Sequence, residues 1–192
     1  MLTETAARWV LVLHTAFGVA AVGAATHLVL WLRGYLRGNY ARHRAVRRFA
    51  WISLALHASA FVAGNVMYPT YKVEVRAAYL ENAGAIISRH NLERHELDKI
   101  AAREHTTAFE PEPAGDVVKQ AAKAARWFDV KEHWIALGLI ASAALVLALA
   151  FWDPRRDGPA LAPIVLGLAV VIAGTVWFGA IVGVLTASWR AV

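Results

Sequence analysis

The chain contains no cysteine. That excludes disulfides, thiolate-held iron–sulfur clusters, thioether attachment of haem and every thiolate metal site. A tightly held metal would have to use histidine, carboxylate or one of the two methionines. Charge is also scarce, at 18% of 192 residues, where a soluble domain carries about a quarter. No nucleophile–base pair, phosphate-binding glycine loop or metal-hydrolase motif is present, so the sequence leaves open whether any reaction occurs here and favours no hydrolytic class.

What the chain has instead is apolar sequence in blocks, with hydrophobic residues at 58%. Four blocks are long enough to cross a bilayer as helices, which takes about 20 residues. They cover residues 9–32, 49–68, 131–152 and 162–187. None alternates with polar residues as a barrel strand does. The first begins MLTETAAR, without a basic leader, and its apolar run exceeds that of a secretory signal, so it reads as a retained helix. The expected fold is an all-α membrane protein. It is one membrane domain over 1–192, an up-down bundle of four transmembrane helices with a helical extramembrane insertion between helices 2 and 3, at about 69–130.

The net charge of +6 would suggest nucleic acid in a soluble protein. Here topology accounts for it. The loop RGYLRGNYARHRAVRR holds Arg33, Arg37, Arg42, Arg44, Arg47 and Arg48 and no acid. By the positive-inside rule residues 33–48 are cytoplasmic. The turn WDPRRDGPALAP, with Arg155 and Arg156, then falls on the same side. Both termini and 69–130 are expected outside, in what reads as a bacterial inner membrane. Tryptophans 9, 31, 51, 127 or 134, 152 and 189 suit interfaces. Pro69 is expected to break or kink the second helix. FEPEPAGD reads as a loop, and VVKQAAKAARWF as a helix that runs into the third span.

Ionisable residues inside a bilayer are costly and mark functional sites. Of the eight histidines, His43 sits in the arginine loop and reads as a solvated charge. His90, His95 and His105 lie on the polar insertion at spacings that suit no single helical face. His14, His27, His57 and His133 lie in spans or at a span's mouth. Counted from the nearest interfacial tryptophan at about 1.5 Å per residue, each is roughly 6–9 Å deep. They fall into two depth-matched pairs: His27 with His57 on the cytoplasmic side, and His14 with His133 on the outer side. Gly18 lies one turn after His14 and Gly23 one turn before His27. Each removes bulk on its histidine's face, where a flat macrocycle needs space; close helix packing explains the same glycines equally well. A simpler role for the histidines is polar glue between helices.

The His14-x12-His27 spacing with its two glycines resembles the membrane-embedded di-haem b-type cytochromes. These hold two haems across the bilayer by paired histidines on helices carrying His-x12-His or His-x13-His. The resemblance implies two haems b, axial ligands His14, His27, His57 and His133, and electron transfer linked to quinone or to a respiratory complex. It departs in one respect, since His57 and His133 come singly from two helices. Cations for haem propionates would be Arg33, Arg47 and Arg48 inside, and Lys72, Arg126 and Lys131 outside. Tyr68, Tyr71, Arg76 and Tyr79 could line a quinol site.

Two other readings compete. One is a copper, zinc or iron site at the outer face, where KEHW places Glu132 and His133 near His14. The other is a non-catalytic subunit whose fourth span packs on a membrane-protein partner, or on another copy, through Gly179 and Gly183. The lipid bilayer is a partner in every case, and nucleic acid in none.

Overall fold

Thr3 starts the first helix: its hydroxyl accepts from the Ala6 N–H at 3.3 Å, satisfying one of the donors a helix start leaves free. The helix, α1, runs Glu4–Leu36. It ends at Gly38, whose φ of +104° is a left-handed conformation that glycine adopts without strain. The Asn39 N–H then reaches back to the Gly34 carbonyl at 3.1 Å, closing the last turn.

After a short 3-10 turn, Tyr40–Arg42, α2 covers His43–Thr70. It continues without interruption into a π-helical segment, Tyr71–Leu80. Helix α3 is Ala83–Arg103, α4 is Ala114–Phe151, α5 is the single turn Pro154–Asp157 and α6 is Ala162–Ala191. This computed structural model describes residues 2–107, 110 and 112–191, the side chains of 188–191 excepted. Phe109 and Pro111 of the expected loop, and the Trp189 side chain, lie outside the described residues.

Among the described residues there is no strand. Four helices are long and apolar enough to cross a membrane, and they mark an integral membrane protein. Their outward faces carry bare apolar side chains such as Phe151, Val184 and Ile140, each more than two-thirds exposed, as contact with lipid tails requires. The helices neighbour one another in the order α1, α2, α4, α6, and α6 closes back on α1. Leu28, Leu32 and Tyr35 of α1, Val46 and Ala50 of α2, Leu145 and Leu149 of α4, and Val165 and Ile172 of α6 form the main core. A smaller core joins Val75 and Leu80 of the π segment to Ile86 of α3 and Ala121 and Ala125 of α4.

Three sequence expectations change. Pro69 does not stop the second helix. It lacks an N–H and crowds the carbonyl four residues back, yet the helix continues through it, and the π segment begins two residues later at Tyr71. The Glu81 N–H that ends the segment bonds the Arg76 carbonyl, five residues back, at 2.9 Å, the π pattern. Arg76 then anchors the widened segment, with Nη1 on Asp129 of α4 at 2.5 Å and Nε on Glu81 at 2.7 Å. Trp152, expected to mark an interface, is buried against the protein, and its indole N–H donates to the Gly158 carbonyl at 3.1 Å.

His43 is the third change. The Tyr35 phenol donates to Asp153 Oδ1 at 3.1 Å, so its oxygen can only accept from His43 Nδ1–H, at 2.9 Å. This chain of bonds ties the end of α1, the start of α2 and the turn between α4 and α6. Arg155 grips Asp153 through both oxygens and holds its carboxyl well below the usual carboxylate range. A carboxyl depressed in the folded state contributes stability above its unfolded pKa of about 3.9, lost as pH falls through the folded value. Asp153→Asn keeps the cap on α5, since asparagine caps as well as aspartate. It should therefore melt below the wild type at pH 7, with the gap closing as the pH falls under about 4. A gap that widens on acidification would contradict this account.

Candidate functional site

A carbonyl oxygen only accepts hydrogen bonds, so an imidazole nitrogen bonded to one must carry the proton. That rule fixes the tautomer of three span histidines. His14 Nδ1 donates to the Ala60 carbonyl of α2 at 2.8 Å. His27 Nδ1 donates to Gly23, one turn earlier on its own helix, at 3.1 Å. His133 Nδ1 donates to Asp129, also one turn earlier, at 2.8 Å. In each neutral ring Nε2 is left as a bare lone pair. Metal-ligating histidines have this arrangement, one nitrogen tied to a carbonyl and the other presented to the metal.

His57 differs. It is 1% exposed, wedged between α2 and α4, with Ser142 Oγ at 3.4 Å from Nδ1. The Ser142 hydroxyl is itself committed to the Gly138 carbonyl at 2.8 Å. His57 Nε2 has no hydrogen-bond partner among the described residues; the Ile135 carbonyl stands nearby without reaching bonding geometry. One turn back on α2, Ser53 Oγ is buried and equally without a partner. A Cβ on Gly138 would lie 2.9 Å from His57 Cε1, so the imidazole fits only because residue 138 has no side chain.

The structure brings no two of the four histidines together: no hydrogen bond or ring contact joins any pair. The register of α1 on α2 gives the reason. His14 faces Ala60, and His27 faces Phe49, with ring centroids 6.4 Å apart. His57 is eight residues beyond Phe49, about 12 Å further along the helix. His27 and His57 therefore differ in depth. His133 lies two residues past Lys131, which interacts electrostatically with His14, but it faces outward while His14 faces α2.

The cofactor-side residues divide similarly. A Cβ on Gly18 or Gly23 would meet nothing within 4 Å, so both glycines leave open space and neither packs a helix. Gly64 does pack, with its Cβ position 3.1 Å from His14 Cε1. Gly179 faces Ile135 and Gly183 faces Lys131, both on α4, so the stripe offered to a partner is filled from within. Arg33 and Arg48 are exposed. The guanidinium in the His27 cluster is Arg42, 5.8 Å over the Trp31 ring, and Trp31 packs edge-on to His27 at 6.4 Å. At the opposite end Lys131 Nζ stands 5.1 Å over Phe128.

Tested against haem, the donor chemistry fits: bare Nε2 atoms on anchored imidazoles, open space beside His27, and Arg42 within its aromatic cluster. The bis-histidine pairing does not fit within this chain. A non-haem centre is no better supplied, because no three His or acidic side chains gather among the described residues.

The spacing of the histidines made them visible in the sequence, but their partners were not. Ser142, four residues after Gly138, and Ser53, four before His57, are helical-face signals that could have been read. Arg42 and Ala60 carry none. Comparison with protein-family profiles, curated proteins and solved structures finds no match.

Proposed function

We propose that the chain is a membrane electron carrier of the b-type cytochrome kind, with His27 as its principal haem ligand and an exchange of electrons with the quinone pool. The observation that carries this reading is the His27 ring. Its Nδ1–H is tied to Gly23, so a lone pair is held out from a helix into a region where an unpaired polar atom is costly. His27 Nε2 would hold the iron of a haem, and the open space at Gly23 would take its macrocycle. Arg42, with Arg33 and Arg48 beyond it, offers counter-charges for propionates. Bound haem would supply one-electron chemistry; the chain's part is to hold the imidazole, shape the apolar surround and neutralise the carboxylates. In the topology that goes with this reading the bundle runs up-down-up-down. The arginine loop is cytoplasmic, and the termini and the α3 side are outside.

The test is the optical spectrum of protein purified from haem-replete cells. A Soret band with a reduced α band in the b-type range is expected, with protohaem released by pyridine. A colourless preparation would end the reading.

A further inference from the structure

Lys123, Arg126, Trp127 and Val130 are all exposed on α4, at the i, i+3, i+4 and i+7 spacing of one helical face. Together they line a cleft of about 240 Å³, open to the outside and almost wholly apolar in its walls. The two basic residues therefore give the cleft their aliphatic stems and carry their charges at its rim. Its aromatic wall is fixed from behind. Trp127 packs on Phe178 of α6 with ring centroids 6.1 Å apart, and Trp134 packs on the same ring at 6.0 Å. Neither cation is paired: among the described residues Lys123 and Arg126 make no hydrogen bond and no ion pair. The neighbouring acids are held by other partners, Asp116 by Lys119 and Asp129 by Arg76. Lys131, next along the helix, lies against Gly183 and Phe128 instead.

Depth decides what the cleft faces. Phe151, 79% exposed, closes α4, and the charged residues Asp153, Arg155 and Arg156 follow it. Counting back about 30 Å of hydrocarbon at about 1.5 Å per residue reaches Lys131. Residues 123–130 follow over roughly the next 10 Å, through the layer of phosphates and glycerol esters. Tryptophan favours that layer. A free phosphate would meet the two charges but leave the apolar walls bare to water. A zwitterionic lipid would cover the walls but bring a cation of its own to the rim. An anionic phospholipid suits both parts. We propose that Lys123, Arg126, Trp127 and Val130 bind an anionic phospholipid of the phosphatidylglycerol class, at the end of the bundle opposite the arginine loop. The phosphate lies between the Lys123 ammonium and the Arg126 guanidinium. The Trp127 indole N–H donates to a glycerol-ester carbonyl, and an acyl chain runs over Val130 toward Trp134. His27 takes no part, so the site does not rest on the electron-carrier reading.

The experiment uses the full chain in mild-detergent micelles and equilibrium binding of radiolabelled dioleoyl phosphatidylglycerol. Saturable binding is expected, with phosphatidylcholine and inorganic phosphate competing poorly. Lys123→Gln and Arg126→Gln should each weaken it about fivefold, the worth of one basic residue at a charged membrane surface, and the double change about twenty-five-fold. Arg126→Lys should retain most of the affinity, Trp127→Leu should lose part of it, and Lys99→Gln, exposed on α3, should bind as the wild type does. Wild-type binding that never saturates overturns the site, as does full affinity in the double variant. Equal binding of phosphatidylcholine would leave only an apolar groove, and displacement by inorganic phosphate at matched concentration only an anion site; either result overturns the proposal. So does a dimer of the chain that sheds the lipid, because a second copy would then fill the cleft. A colourless protein that binds the lipid saturably ends the haem reading and leaves this site standing; a red protein without such binding does the reverse.

Discussion

Gly138→Val should be the most damaging single substitution in the bundle. The residue sits where α4 meets both α2 and α6. Any Cβ there would collide with the Thr175 side chain, whose own Cβ is 2.8 Å from the position, and with His57 Cε1 at 2.9 Å. Neither neighbour gives way cheaply. Thr175 is β-branched, stiff at χ1, and its hydroxyl is bonded to the Ile172 carbonyl at 2.9 Å. His57 is enclosed on every side. Overpacking of this kind costs about 1–3 kcal/mol and sometimes more, against roughly 1 kcal/mol regained by replacing a helical glycine with alanine. Gly138→Ala should be measurably destabilised in an SDS titration from mixed micelles, and Gly138→Val should not assemble. Gly179→Ala is the control. Its Cβ meets only the far end of Ile135, which can rotate away, so the cost should be under about 1 kcal/mol. Gly138→Ala combined with Thr175→Gly moves the gap to the facing helix, and the pair should be less destabilised than the two single changes added together. Equal stability of Gly138→Ala and Gly179→Ala would refute the packing argument.

That glycine shows why only part of the molecule could be read from the chain. The spans were legible because lipid imposes length and composition locally: Leu11, Val19 and Leu30 are apolar whichever helix lies beside them. The continuous α4 was legible for the same reason, since nothing in VVKQAAKAARWF interrupts a helix. The π segment was not. Pro69 signals a disturbance, but whether the helix stops or widens depends on whether α4 supplies an anchor, and Asp129, which holds Arg76, is 53 residues away. His43 was misjudged for a similar reason. Its arginine-rich surroundings point to solvent, yet its partners, Tyr35 and Asp153, come from two other elements. The histidine depths were sound distances along each helix measured from the wrong origins. A count from Trp31 and Trp51 assumes that the two tryptophans are level, but the observed register places Phe49 opposite His27. A shift of a few residues on one helix separates two histidines that a level count pairs.

The His27 and His57 variants decide what that shift means. Both imidazoles lie in apolar spans, and a count of histidines treats them alike. Their surroundings do not. His57 is closed in by Gly138 and Ser142, with no space for a macrocycle, and the one approach within hydrogen-bond distance among the described residues is a long 3.4 Å contact with Ser142. Replacing it with Leu removes a buried nitrogen that has no hydrogen-bond partner among the described residues; exchanging an unsatisfied polar group for an apolar one of similar size is close to neutral. His57→Leu should therefore fold and keep the full absorption of the wild type. His27→Leu changes only an exposed surface of α1 as far as folding is concerned, so stability should again hold. The bare Nε2 is lost with it, however, and the b-type absorption should disappear or fall to a weakly held remnant. The open space beside the ring predicts a graded result as well. Gly23→Val leaves the carbonyl that anchors Nδ1 but fills the open space beside the ring, so haem content should drop while the folded fraction does not. Retention of full absorption by His27→Leu, or its loss in His57→Leu with the fold intact, would move the ligand from the surface of α1 to the interior of the bundle.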